Sequence, residues 1–124
     1  MLTTVNDLEK TVNSGLSTTI KRSEINFNQL VIYIDVEDII STILFLKTNE
    51  KCRFRQLIDI TAVDYPQNEK RFKIVYLLLS HENNLRIIIN TKIDEKKVKE
   101  IKELMETDII KYYSDFKNEC IFIC

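Results

Sequence analysis

The chain has 124 residues, 44% of them hydrophobic and 30% charged, which is typical of one globular domain with a sizeable apolar core. Its 18 Lys and Arg nearly balance 19 Asp and Glu, so no basic field favours nucleic acid or anionic lipid, and we expect no nucleic-acid partner. No apolar run approaches the ~20 residues of a membrane helix, and the charged N-terminus has no signal-peptide or transit-peptide pattern, so we expect no direct membrane insertion.

The first predicted element is a short amphipathic helix over residues 3–16. The sole glycine, Gly15, stands where this helix would end. The apolar residues at helical spacing are Val5, Leu8, Val12 and Leu16.

A β-hairpin and a second helix follow. Thr19–Glu24 and Gln29–Ile34 are predicted strands around a turn at 26–28. Asp35 is the predicted N-cap of a helix that should end near residues 47–49, with apolar residues at i, i+3, i+4 and i+7.

Three apolar runs of strand length come next, at Phe54–Val63, Arg71–Ser80 and Leu85–Thr91. Their connectors, Asp64–Lys70 and His81–Asn84, are short. Short connectors most simply join neighbouring antiparallel strands, so the pattern predicts a three-stranded antiparallel meander.

The middle run is apolar on both faces. Such a strand is usually covered on both sides or rests on a partner protein. We expect an α+β fold with helices on one face of a sheet of four or five strands. Alternation puts Ile58, Ile60 and Ala62 on one face of the first strand and Leu57, Asp59, Thr61 and Val63 on the other.

After Asp94 the chain becomes highly charged. Apolar residues at helical spacing predict a C-terminal helix over about residues 95–113, and the last five residues, CIFIC, form a short apolar segment. We therefore divide the chain into an α+β domain at 1–94 and a divergent charged helical tail at 95–124.

Catalytic chemistry is hard to assemble from these residues. The only histidine, His81, has Ser80 beside it, but neighbours on a strand point to opposite faces. The cysteines, Cys52, Cys120 and Cys124, lack metal-ligand spacing and are predicted to be reduced thiols. With one glycine, a Gly-rich phosphate loop in its usual form is excluded. We predict no catalytic, cofactor-binding or metal-binding residue.

The charged residues of the meander are predicted to be structural or to serve an interface. We expect Asp59 to bond backbone or an arginine, and Asp64 to cap the turn with Pro66. Arg71 and Arg86 flank the same hairpin and are expected to pair with these acids or with carboxylates of a partner.

The segments LIDITAVDYP, RFKIVYLLLS and NNLRIIINTKI together resemble the C subunit of NADH–quinone oxidoreductase, respiratory complex I, including its mitochondrial form, NADH dehydrogenase subunit 9. This resemblance closely covers about a third of the chain. The residues that match the family pattern in one register are Leu57, Asp59, Ile60, Val63, Asp64, Tyr65, Pro66, Arg71, Phe72, Val75, Tyr76, Leu78, Leu79, Ser80, Asn84, Arg86 and Ile87.

The resemblance implies a non-catalytic subunit of the peripheral arm, which supports electron transfer from NADH to quinone. NADH, FMN, iron–sulfur clusters and quinone belong to the parent complex, and none is bound by this chain. The implied partners are other proteins of complex I, chiefly the D subunit and its neighbours at the quinone site, in a hetero-oligomer. The implied location is peripheral, on the matrix side of a mitochondrial inner membrane or the cytoplasmic side of a bacterial one.

Six matching residues are expected to matter for folding or docking: Asp59, Asp64, Tyr65, Arg71, Tyr76 and Arg86. The chain departs from the family after residue 94, where the Glu-Arg-Glu and Asp-Met-Phe-Gly motifs and the Gly- and Pro-rich arm are missing. The alternatives to a role within complex I are a stand-alone protein-binding module and a thiol-based enzyme that uses Cys52 or Cys120.

Overall fold

The computed structural model describes residues 4–94, and these residues have the predicted α+β class. A 3-10 turn at Val36–Asp38 precedes the second helix. The predicted C-terminal helix and the apolar end segment lie outside the described residues. In chain order the elements are α1 (Val5–Gly15), β1 (Arg22–Asn26), β2 (Gln29–Tyr33), α2 (Ile39–Thr48), β3 (Gln56–Asp64), β4 (Phe72–Ser80) and β5 (Leu85–Ile93).

The five strands form one mixed sheet in the order β1-β2-β5-β4-β3. Strands β3, β4 and β5 pair antiparallel, as the predicted meander requires. Strand β2 pairs in parallel with β5, which the sequence analysis did not predict. This parallel contact joins the hairpin to the meander and places β5 at the centre of the sheet.

Both helices pack on the same face of this sheet, which we call the helix face. Helix α1 buries Val5, Leu8 and Val12, because these positions share one side of a 3.6-residue period. Their side chains and those of Ile39, Ile43 and Leu46 from α2 join one core cluster with the helix-face residues of the strands. Among the described residues, no helix lies on the opposite face, which we call the open face.

Strand β3 contains a β-bulge, and because of it the predicted face of one residue, Leu57, is wrong. Leu57 pairs with Leu78, but Asp59 pairs with Leu77, so Ile58 is an extra residue in the ladder. The extra residue shifts the alternation by one position. Leu57 is therefore fully buried on the helix face together with Ile60, and not on the face of Asp59 as predicted.

The prediction that Asp35 caps the N-terminus of α2 is also wrong. Asp35 precedes the 3-10 turn and makes no side-chain capping bond. Its carboxylate lies 2.7 Å from the Nζ of Lys21. The turn delays the start of α2 to Ile39, which puts Asp35 too far from the first amides of the helix to cap them.

Gly15 lies against the aromatic ring of Phe45 on α2. A Cβ atom at this position would lie 2.3 Å from Cζ of Phe45 on α2. Phe45 is partly buried and packs against the core. The glycine ends α1 as predicted, and it also gives the aromatic ring room to lie against the backbone.

We expect Gly15→Ala to lower the free energy of unfolding by about 1 kcal/mol, because overpacking outweighs the better helix propensity of alanine. In a Phe45→Ala background the same change should be neutral or stabilising. Urea unfolding of the four variants, followed by circular dichroism, measures this coupling. An equal effect of Gly15→Ala in both backgrounds would contradict the packing explanation.

Candidate docking surface

The open face carries a continuous apolar strip, which we define as Val31, Val75, Leu77, Leu79 and Ile88. Strand pairing aligns Val31 with Ile88 and Ile88 with Leu77, so these three side chains form a row across the middle of the sheet. Val31 is buried by its neighbours, and the other four are half-buried. A strip of this kind is suited to contact with a second surface.

Two buried polar atoms on the open face lack a hydrogen-bond partner among the described residues. They are Oδ1 of Asn90 and Oδ1 of Asp59. Asn90 is only 4% exposed and pairs with Val75, whereas Asp59 pairs with Leu77. A buried acceptor without a donor is unfavourable. On the helix side of the sheet, the hydroxyl groups of Thr42, Tyr76 and Thr91 also lack a partner among the described residues.

Positive charges border one end of the strip. Lys73 and Lys92 are cross-strand partners, and the Arg22 guanidinium stacks over the Tyr33 ring at 4.1 Å. Asn90 also lines a cleft of about 290 Å³ at this end. The charged residues of that cleft are Lys21, Arg22, Asp35, Lys70 and Lys92. Although the whole chain is nearly neutral, this border is locally basic and suits an acidic rim on a partner.

The six residues that were expected to matter for folding or docking lie in three separate regions of the structure. Asp59 and Arg86 lie on the open face beside the strip, with Arg86 opposite Leu79. Asp64, Tyr65 and Arg71 lie together where β3 meets β4. Tyr76 lies in the core on the helix face.

Asp64 and Arg71 form a bidentate ion pair, which confirms the expected pairing of Arg71 with one of the acids. Nε and Nη2 of Arg71 donate to the two carboxylate oxygens of Asp64 at 2.7 and 2.9 Å. The backbone N–H of Tyr65 donates to the carbonyl of Arg71 at 2.7 Å, so the ion pair and this backbone bond together close the loop between β3 and β4.

The Asp64–Arg71 pair also sets a pH dependence. The hydrogen bond from Arg71 lowers the pKa of Asp64 below its usual 3.8. A carboxyl group with a lowered folded-state pKa stabilises the fold fully at neutral pH and loses that contribution as the pH falls through the lowered pKa. Because both side chains are exposed to solvent, the contribution is small and is screened by salt.

Tyr76 has a structural position. Its side chain is fully buried among the helix-face residues, and burial raises the pKa of its hydroxyl group. Its hydroxyl oxygen has no hydrogen-bond partner among the described residues. Tyr76 thus occupies the position of a core residue beneath the helix layer.

The described residues assemble no nucleophile. Cys52 is fully buried, and burial raises the pKa of its thiol to about 11. Ser80 is buried and its Oγ accepts from Nδ2 of Asn83 at 3.0 Å, whereas the exposed His81 ring contacts Oε1 of Gln56. Cys120 and Cys124 lie outside the described residues. Between residues 4 and 94, no His, Cys, Asp and Glu cluster is placed to hold a metal ion.

Neither helix within residues 4–94 has the length and apolar character needed to span a bilayer.

Residues 32–108 match the model of the family described as respiratory-chain NADH dehydrogenase, 30 kDa subunit. The match covers more than half of the chain, and it includes the first residues after the predicted division at residue 94. That division itself stays a prediction.

Curated relatives are similar over the same region. The C subunit of NADH-quinone oxidoreductase from Methylobacterium radiotolerans is 45% identical over 71 residues, which are 57% of this chain and 33% of the relative. The Xanthobacter autotrophicus protein of the same name is 38% identical over 92 residues, or 74% of this chain and 44% of the relative. The chain thus spans between a third and a half of the length of these relatives.

A solved structure is similar in fold. A chain of the membrane-bound sulfane sulfur reductase, an archaeal respiratory membrane complex, matches with a TM-score of 0.63. The match covers 94% of this chain and 69% of that chain at 21% identity. At this identity the likeness concerns the fold alone.

The buried position of Cys52 predicts an unreactive thiol. In a Cys120→Ser/Cys124→Ser variant, we expect iodoacetamide at pH 8 to leave Cys52 unmodified in the folded chain and to modify it fully in 8 M guanidinium chloride. The physical reason is that a pKa of about 11 leaves on the order of one thiolate in a thousand at that pH, in a side chain without solvent access. Mass spectrometry measures the modification. Rapid modification in the folded state would restore Cys52 as a candidate nucleophile.

Proposed function

Because this chain belongs to the family of the respiratory-chain NADH dehydrogenase 30 kDa subunit, we propose that it is a structural subunit of the peripheral arm of a proton-pumping NADH–quinone oxidoreductase. In this role it supports electron transfer from NADH to quinone by holding neighbouring proteins in place. The flavin, iron–sulfur clusters and quinone are bound by those neighbours.

The observation that carries this proposal is the open face of the sheet. Covering half-exposed valine, leucine and isoleucine side chains contributes on the order of 1 kcal/mol each, so the strip offers a useful contact area. Family membership and a face of this kind together favour an assembly role.

We further propose that the strip docks on the proteins around the quinone site, chiefly the D subunit of the complex. The names of the curated relatives support a place in NADH-quinone oxidoreductase. The chain would then lie peripherally in a hetero-oligomer, on the cytoplasmic side of a bacterial inner membrane or the matrix side of a mitochondrial one. A free-standing binding module would use the same face, and only the identity of its partner would differ.

Replacing two residues of the strip tests this role. We expect Leu77→Thr/Ile88→Thr to prevent the tagged full chain from joining the complex, because threonine suits a strand but removes apolar contact. The matched control is Leu44→Gln, since Leu44 is 40% exposed on α2, in the helix layer. Mild-detergent extraction of the host membranes, native electrophoresis and mass spectrometry of the bands measure assembly.

We expect the unaltered chain and Leu44→Gln to migrate with NADH dehydrogenase activity, and the double variant to migrate as a free chain. Thermal unfolding followed by circular dichroism checks that the double variant still folds. Assembly of a folded double variant at the unaltered level would exclude the strip as the docking surface. An unaltered chain that never enters the complex would overturn the proposed function itself.

A further inference from the structure

The most exposed large apolar side chain among the described residues lies at the tip of the β1–β2 hairpin. Phe27 is 99% exposed. It forms the two-residue turn between Asn26 and Gln29 together with Asn28. Both turn residues have positive φ angles, 51° for Phe27 and 60° for Asn28.

This position is unfavourable for phenylalanine in the isolated domain. Two-residue turns with positive φ at both positions prefer asparagine, aspartate and glycine, and Asn28 agrees with that preference. A bulky side chain in the left-handed region is strained by its Cβ atom. The ring is also not buried by any described residue, so it does not compensate for the strain by contributing to the core.

We propose that Phe27 is an aromatic anchor that inserts into an apolar pocket on a neighbouring protein of the complex. This inference rests on the proposed function, and it names a second point of contact. Burial of an exposed aromatic ring in a partner's pocket is a common way for one residue to dominate a protein interface. Strain at such a residue is retained where an interaction outside the domain compensates for it.

The position of the hairpin supports this contact. Val31 lies four residues after Phe27 on β2, roughly 13 Å away at ~3.3 Å per residue, and it belongs to the apolar strip. On β1, Glu24 faces Val31 and accepts hydrogen bonds from Asn26 at 3.1 Å and from the Tyr33 hydroxyl at 3.0 Å. The hairpin is thus braced by hydrogen bonds on the open-face side, next to the strip.

The surroundings of Phe27 favour a protein over a lipid surface. The nearest polar side chains along the hairpin are Glu24, Asn26, Asn28 and Gln29, and none carries a positive charge. Docking to an anionic bilayer usually combines several apolar side chains with lysine or arginine. A single ring on a narrow turn without positive charge instead fits a concave apolar pocket with polar edges.

The test uses a variant whose effects on stability and on assembly should have opposite signs. We expect Phe27→Asn to raise the Tm of the purified full chain by roughly 2–6 °C, because asparagine tolerates the left-handed turn. The same variant should enter the complex at least ~10-fold less well than the unaltered chain, as expected for the loss of an aromatic anchor. Asn28→Gly is the matched control, because it alters the same turn without touching the ring.

Co-expression of the unaltered chain and each variant under two different tags provides an internal reference. The ratio of the two tags in the native band of the complex, divided by their ratio in the whole extract, measures incorporation. We expect a depleted ratio for Phe27→Asn and an unchanged ratio for Asn28→Gly. Equal incorporation of Phe27→Asn would overturn the anchor. Absence of the unaltered chain from the band would instead overturn the proposed function.

Two further measurements test whether Phe27 instead binds a lipid bilayer or a second copy of the chain. Flotation of the purified chain with vesicles of phosphatidylcholine and phosphatidylglycerol tests a lipid surface, and light scattering at high concentration tests self-association. We expect the unaltered chain to stay unbound and monomeric in both. Binding or association that Phe27→Asn abolishes would assign the ring to a bilayer or a second copy, and would overturn the assignment to a neighbouring protein of the complex.

Discussion

The parallel pairing of β2 with β5 is the contact on which the rest of the structure depends. It places β5, the last described strand, between β2 of the hairpin and β4, although α2, β3 and β4 separate β2 from β5 in the chain. The pairing aligns Val31, Ile88 and Leu77 across three strands. It also brings Ile32 and Ile89 together on the helix face, where α1 and α2 cover them. Without this contact there would be neither one core nor one continuous open face.

The two faces of the sheet differ in what covers them. The helix face is mostly apolar and encloses the aromatic ring of Tyr76. The hydroxyl groups of Thr42, Tyr76 and Thr91 are buried on this side without a partner among the described residues. On the open face, half-buried aliphatic side chains lie beside oxygens of Asp59 and Asn90 that have no donor among the described residues. Phe27 adds an aromatic ring in a strained turn. Exposed apolar side chains are unfavourable in an isolated domain, and the proposed docking would cover them.

The order of the elements was predictable because hydrophobic periods of 3.6 and 2 residues leave a clear local pattern. The sequence also predicted that the middle run, β4, is apolar on both of its faces. The bulge at Ile58 was not predictable, since one extra residue in a strand changes no local composition. The β2–β5 pairing escaped prediction because it joins distant segments. The burial of Asn90 and the exposure of Phe27 depend on tertiary neighbours and on turn geometry, which no periodic pattern reports.

We propose that the open face, and not the helix layer, contacts the rest of a respiratory complex. Hydroxyl-radical footprinting of the free chain and of the chain within isolated membrane complexes tests it most directly. We expect Leu77 and Ile88 to lose most of their labelling on assembly, while Leu44 on α2 keeps its own. Unchanged labelling of Leu77 and Ile88 together with protection of Leu44 would instead place the interface on the helices.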